Sequence, residues 1–171
     1  MRGLSFCGVL LVGLAVGCSG ASTSSSLPKS AASPLLEHPL PEFRRDALDG
    51  TQVKSAELSG RVVVVKFFAK YCKPCMKTLP ATQTLAHERT DVTFLGISVD
   101  ERESDAREMV SQYGLTFPVV FDRGGVLAGR FRISELPATF VVGKSGRVTW
   151  VGKEGVDENT LAAAIDAASQ R

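Results

Sequence analysis

Val62-Val63-Val64-Val65-Lys66-Phe67-Phe68-Ala69-Lys70-Tyr71-Cys72-Lys73-Pro74-Cys75 is the stretch whose reading decides the fold. Residues 62–68 form an apolar run rich in β-branched side chains and interrupted only by Lys66. Such a run reads as a central strand buried on both faces. Pro74 suits the first turn of a helix, where the N–H it lacks would be unpaired in any case. The Cys-x-x-Cys therefore falls where a strand gives way to a helix, and its spacing lets Cys72 and Cys75 close a disulfide across that turn. Cys72 is placed at the positive end of the helix dipole and beside Lys73, and both effects favour its thiolate. Cys72 is thus the expected nucleophile and Cys75 the resolving thiol.

Two other uses of a Cys-x-x-Cys compete with this one. A structural zinc site needs four ligands. The remaining cysteines, Cys7 and Cys18, belong to an N-terminal export segment, and His38 and His87 show no paired spacing. No metal and no cofactor are expected. A purely structural disulfide would not need the strand-to-helix setting. Thiol–disulfide exchange is the favoured chemistry.

The stretch resembles the active site of the thioredoxin superfamily, specifically the bacterial TlpA/ResA-like thiol-disulfide oxidoreductases, which are redoxin or AhpC-TSA-like. The likeness runs from about Pro39 to the C-terminus. It rests on Pro41-Glu42-Phe43, Asp49-Gly50, Cys72-Lys73-Pro74-Cys75, Pro80 and Leu136-Pro137-Ala138-Thr139-Phe140. The resemblance implies that Pro137 is cis and lies against the disulfide. The backbone beside it would pair with an incoming peptide like a short added strand. Tyr71, Pro74 and Leu136 would shape the contact with substrate.

The chain also departs from the pattern. Tyr71 stands where tryptophan is usual, Thr78 where many relatives carry a glutamate, and Gly143 where aspartate is frequent. Lys66 falls where cytoplasmic thioredoxins carry a buried aspartate, so its side chain is expected beneath the cysteines. Lys66 and Lys73 are the candidates for tuning the sulfur pKa values. The lysine stem can carry the Lys66 charge out to solvent. Alternatively, a partly buried ammonium can act on the sulfurs.

With 171 residues, the chain has room for one ordinary domain and appendages. Its apolar content of 44% supports a core, and a formal charge of +2 is too small to suggest nucleic acid. Residues 1–17 combine Arg2 with an apolar run too short to span a bilayer permanently, so they read as a signal peptide. Leu14-Ala15-Val16-Gly17-Cys18 resembles a bacterial lipobox, which implies lipidation of Cys18. Residues 18–38 are rich in Ser, Ala and Pro and are expected to be a flexible tether. The folded domain is expected over 39–171.

Within that domain, Asp49-Gly50 marks a hairpin turn. Strands are expected at 62–68, 92–99, 117–121, 139–142 and 148–151. Helices are expected at 75–89, 102–113 and 126–131, with a last one capped by Asp157. This pattern gives an α/β, thioredoxin-like fold, with a mixed central β-sheet flanked by helices and an N-terminal β-hairpin. In open α/β sheets the site lies at the carboxyl ends of strands, where Cys72 falls.

The resemblance implies a membrane-anchored, extracytoplasmic thiol-disulfide oxidoreductase of the protein-disulfide reductase type. Its partners would be exported proteins with cysteine pairs and a membrane thiol-disulfide electron donor. Cytochrome c maturation, with apocytochrome c as substrate, is a frequent task in the family. A second reading is a thiol peroxidase, because peroxiredoxins share the architecture and a strand like Thr116-Phe117-Pro118-Val119. Their proline and threonine before the cysteine are absent, with Ala69 and Val65 at those places. A third reading is a Sco-like copper-delivery protein, since thiolates suit Cu(I). Those proteins use a longer cysteine spacing and a downstream histidine, and no histidine follows His87.

Overall fold

The computed structural model describes residues 27–171. The expected signal peptide, Cys7, the lipidation candidate Cys18 and the first part of the tether lie outside the described residues. Along the chain run β1 (Arg44–Asp46), β2 (Gln52–Lys54), β3 (Val62–Phe68), α1 (Lys73–Glu88) and β4 (Val92–Ser98). Next come α2 (Glu103–Gln112), β5 (Val119–Phe121), α3 (Val126–Arg130), β6 (Ala138–Val142), β7 (Val148–Gly152) and α4 (Glu158–Ser169). The main sheet has the order β5-β4-β3-β6-β7. β3 pairs in parallel with β4 and antiparallel with β6, so the sheet is mixed. β1 and β2 form the separate antiparallel hairpin.

All seven residues of β3 are buried, as a central strand requires. Alternation sends Val62, Val64 and Phe68 into a layer shared with α1 and α4, among them Leu79, Leu161 and Ile165. Val63, Val65 and Phe67 enter the opposite layer with Phe131 and Phe140. There the Phe67 and Phe131 rings lie 4.9 Å apart and tilted, and Phe131 and Phe140 5.3 Å apart and edge-to-face. Aromatic pairs of this kind contribute about 1 kcal/mol beyond their area. Asp157 caps α4 by accepting the Thr160 N–H at 2.8 Å. The expected strand at 117–121 begins only at Val119, because Pro118 has no N–H to give a ladder. Its carbonyl still accepts from Gly96 N–H at 2.9 Å.

The tether expected through residue 38 is corrected by the structure for its second half. Ala31 N–H donates to Val151 C=O at 2.6 Å, and Ser30 Oγ accepts from Val151 N–H at 2.9 Å. Leu36 bridges Val148 and Pro39 bridges Arg147. Leu35, Leu36 and Leu40 pack on the Phe67 layer. This strap is held by the outer edge of β7, whose backbone groups need partners, and not by any local pattern. On the opposite side, Ala47 bridges Val120 and Leu48 N–H donates to Val119 C=O at 2.7 Å. Among the described residues no helix is long and apolar enough to cross a membrane.

Gly152 closes β7 under the Trp150 ring. A Cβ there would collide with Trp150 Cη2 and lie 2.7 Å from Val156 Cγ2. Gly152→Ala is therefore expected to destabilise by about 1–3 kcal/mol, the usual range for overpacking. The check is a lower urea midpoint at unchanged slope. An unchanged midpoint would mean that the ring has room to move aside.

Candidate active site

β3 ends at Phe68, and three hydrogen bonds set the path from there to the first cysteine. Phe68 C=O accepts from Val99 N–H at 3.0 Å, and Ala69 C=O accepts from Cys72 N–H at 3.1 Å. Lys70 N–H donates to Asp100 Oδ1 at 2.8 Å, while Asp100 Oδ2 accepts from Ser98 Oγ at 2.8 Å. The buried Asp100 thus ties the loop before the cysteines to the loop after β4. The Lys70 ammonium adds ion pairs to Asp105 at 3.2 Å and Glu108 at 2.6 Å. The hydrogen bonds to Glu108 and Asp105 raise its pKa.

Cys72 is the N-cap of α1, with φ −84° and ψ 94°, and its Sγ accepts from Cys75 N–H at 3.1 Å. Cys75 N–H, in the first turn of the helix, is thus shared between this sulfur and Cys72 C=O, to which it donates at 3.0 Å. Cys72 and Cys75 form a disulfide with Cα atoms 5.3 Å apart. Cys75 is 0% exposed and Cys72 6%, so the first sulfur is the outer one. Thr78 is spent on α1 itself, donating to Cys75 C=O at 3.2 Å.

The disulfide opens on a groove of about 660 Å³. Tyr71, Cys72, Lys73 and Pro74 line one side; Ile133, Glu135 and Leu136 belong to the other. Tyr71 is 69% exposed, a flat aromatic face presented to solvent beside the sulfur. Leu136 is joined to the buried Pro137 by a cis peptide bond. Of the residues expected to meet substrate, Tyr71, Pro74 and Leu136 thus share one groove, whereas Pro137 is buried and does not line it. Ile133, Ser134 and Glu135 lie in a segment where the sequence carries no periodicity or motif, and the expected elements that hold Ala128 and Val99 gave no sign that these two line the groove.

Lys66 does not reach solvent. It is 1% exposed, and Nζ donates to Thr139 Oγ1 at 3.0 Å. Burial lowers its pKa from 10.5 to about 7, because a desolvated ammonium is disfavoured. Thr139 is its register partner on β6, 73 residues away along the chain.

The AhpC/TSA family model matches residues 36–151. The chain is 32% identical over 110 residues to the thiol-disulfide oxidoreductase ResA of Bacillus thuringiensis (strain Al Hakam), covering 63% of this chain. It spans 64% of the length of that relative. Against the ResA of Halalkalibacterium halodurans it is 30% identical over 121 residues, with 70% and 69% of the two chains covered. Among solved structures, a secreted Mycobacterium tuberculosis disulfide oxidoreductase homologous to E. coli DsbE superposes with a TM-score of 0.69. It is 26% identical, with 74% of this chain and 96% of the other covered. A thiol:disulfide interchange protein of Chlorobium tepidum TLS gives a TM-score of 0.70 at 26% identity, covering 81% and 99%.

Proposed function

The chain belongs to the AhpC/TSA family, as a ResA/TlpA-like member of the thioredoxin superfamily, and we propose that it is a protein thiol-disulfide oxidoreductase working outside the cytoplasm. The observation that carries this is the Cys72–Cys75 disulfide at the start of α1, opening on a groove with Tyr71 and Leu136 on its walls. In the reducing direction the Cys72 thiolate attacks a target disulfide. A mixed disulfide forms, and Cys75 displaces the substrate as its thiol. Tyr71, Pro74, Leu136 and Pro137 hold the target peptide, and Lys73 favours the thiolate. The substrates are exported proteins with cysteine pairs, apocytochrome c among them, and a membrane thiol-disulfide donor restores the dithiol.

One experiment with the purified chain tests this: insulin-disulfide reduction, peroxide turnover and Cu(I) titration side by side. Rapid insulin reduction with slow peroxide turnover is the expected result. Fast peroxide consumption without insulin reduction would favour the peroxidase, and tight Cu(I) binding without either activity the copper carrier.

The anchored location rests on Cys18 and the segment before it. Cys18→Ala is expected to move the protein from the membrane to the soluble fraction, read by fractionation and immunoblot. Unchanged partitioning would remove the lipid anchor from the proposal.

A further inference from the structure

Among the described residues Lys66 is the largest fully buried charge-bearing side chain, and the exchange of sulfur bonds leaves it without a role. It sits on the face of β3 that carries Val64 and Phe68, whose apolar layer also contains Cys72 and Cys75. Only two residues, roughly 7 Å of strand, separate it from the end of β3 that leads into the cysteine loop.

The groups packed against this face leave the amine without a counter-charge. α4 presents the apolar Leu161, Ala164 and Ile165. α1 brings the two sulfurs and the uncharged Thr78 and Thr82. β6 supplies the Thr139 hydroxyl, and β4 has Gly96 in register with Lys66. The two buried carboxylates are engaged elsewhere, Asp100 by Ser98 Oγ and Lys70 N–H and Asp122 by Leu127 N–H and Ala128 N–H. Among the described residues Thr139 Oγ1 is the one hydrogen-bond partner of Lys66 Nζ. The nearby group that changes its charge is the cysteine pair itself.

We propose that Lys66 is a redox-linked proton site, taking up a proton when the Cys72–Cys75 disulfide is reduced and releasing it when the disulfide re-forms. This rests on the oxidoreductase reading of the pair. With the disulfide closed, no negative charge among the described residues offsets an ammonium in this layer, and burial holds the amine's pKa near 7. Reduction places a thiolate in the same low-dielectric layer, which favours the ammonium. The balance closes with a dithiol as reductant. Its two electrons break the S–S bond and it leaves as a disulfide. Of its two protons, one goes to Cys75 as thiol and one to Lys66, while Cys72 remains thiolate. Without the amine, that second proton is lost to solvent. By linkage, the ammonium lowers the thiol pKa as much as the thiolate raises the lysine's. Lys66 is thus a positioning residue that sets how reducible the pair is and how that depends on pH.

The test is the equilibrium of the full chain with glutathione across pH, for wild type and Lys66→Met. Near pH 7 the wild type is expected to be the more readily reduced. Above about pH 7 the ratio of the two equilibrium constants is expected to fall roughly tenfold per pH unit, about 30 mV for each tenfold step. A second measurement needs no variant: the ¹³Cε titration of Lys66 should show a higher midpoint in the reduced protein than in the oxidised. A pH-independent ratio, or equal midpoints in the two redox states, would overturn the proposal. A wild-type pair that neither glutathione nor dithiothreitol reduces would instead overturn the oxidoreductase reading beneath it.

Discussion

Cys75→Ser is expected to leave the protein covalently joined to its substrates, and Cys72→Ser to join nothing; both should abolish insulin reduction. The order follows from where α1 places the sulfurs. Cys72 is the N-cap, at the rim of the groove, with Cys75 N–H pointing at its Sγ from 3.1 Å. The helix dipole and that N–H both stabilise negative charge on it. Cys75 is wholly buried one turn in and cannot be met by a substrate disulfide first. Once Cys72 has attacked, Cys75 is the thiol positioned to release the product, so its replacement by serine stalls the cycle at the mixed disulfide. Non-reducing gels of cells expressing each variant, followed by identification of the attached proteins, are the measurement. Adducts of equal yield from both variants would reverse or dissolve the assigned order of attack.

The second large effect is on stability. Lys66→Met is expected to make the oxidised protein more stable than wild type at pH 7, by about 2–4 kcal/mol. In the unfolded chain the lysine titrates near 10.5, and in the native oxidised state near 7, lowered by burial. Between those values the native state binds fewer protons than the unfolded one. Wild-type stability therefore rises with pH from about 7 to 10.5 and is flat below that window. At about 1.4 kcal/mol per unit, the penalty at pH 7 has a ceiling of roughly 5 kcal/mol. Methionine fills the same unbranched space without a charge. It leaves the Thr139 hydroxyl without its partner, which returns about 1–3 kcal/mol. Urea unfolding at several pH values provides the check. A variant less stable than wild type at pH 7 would mean that the native interior solvates the ammonium well.

The parts of this fold that could be read from the chain are those that announce themselves locally. The valine run of β3, the Pro74 signal and the Asp157 cap each act within a few residues and lie where expected. The cysteine pair was legible for the same reason. The strap was not. Residues 30–39 have no hydrophobic period, and their order comes from bonds to Val148 and Val151, more than a hundred residues away. The fate of Lys66 was likewise open, because a lysine in a strand can reach solvent or stay inside. Its partner Thr139 becomes visible only once β3 and β6 are in register. The far wall of the groove has the same character. Ile133 and Glu135 come from an irregular segment whose position follows from where α3 and β6 end.

The strap along β7 and the Ala47–Leu48 contact on β5 have a consequence for life among unfolded chains. An uncovered outer strand is a template on which another extended polypeptide can build. Under the proposed function, such extended polypeptides are what the protein meets as substrates. Here both flanks of the five-stranded sheet are engaged by the protein's own backbone. Those backbone groups of β5 and β7 are thereby withdrawn from pairing with another extended chain. In the proposed function, contact with substrate is left to the groove beside Cys72, where it ends in an exchange of sulfur bonds and release.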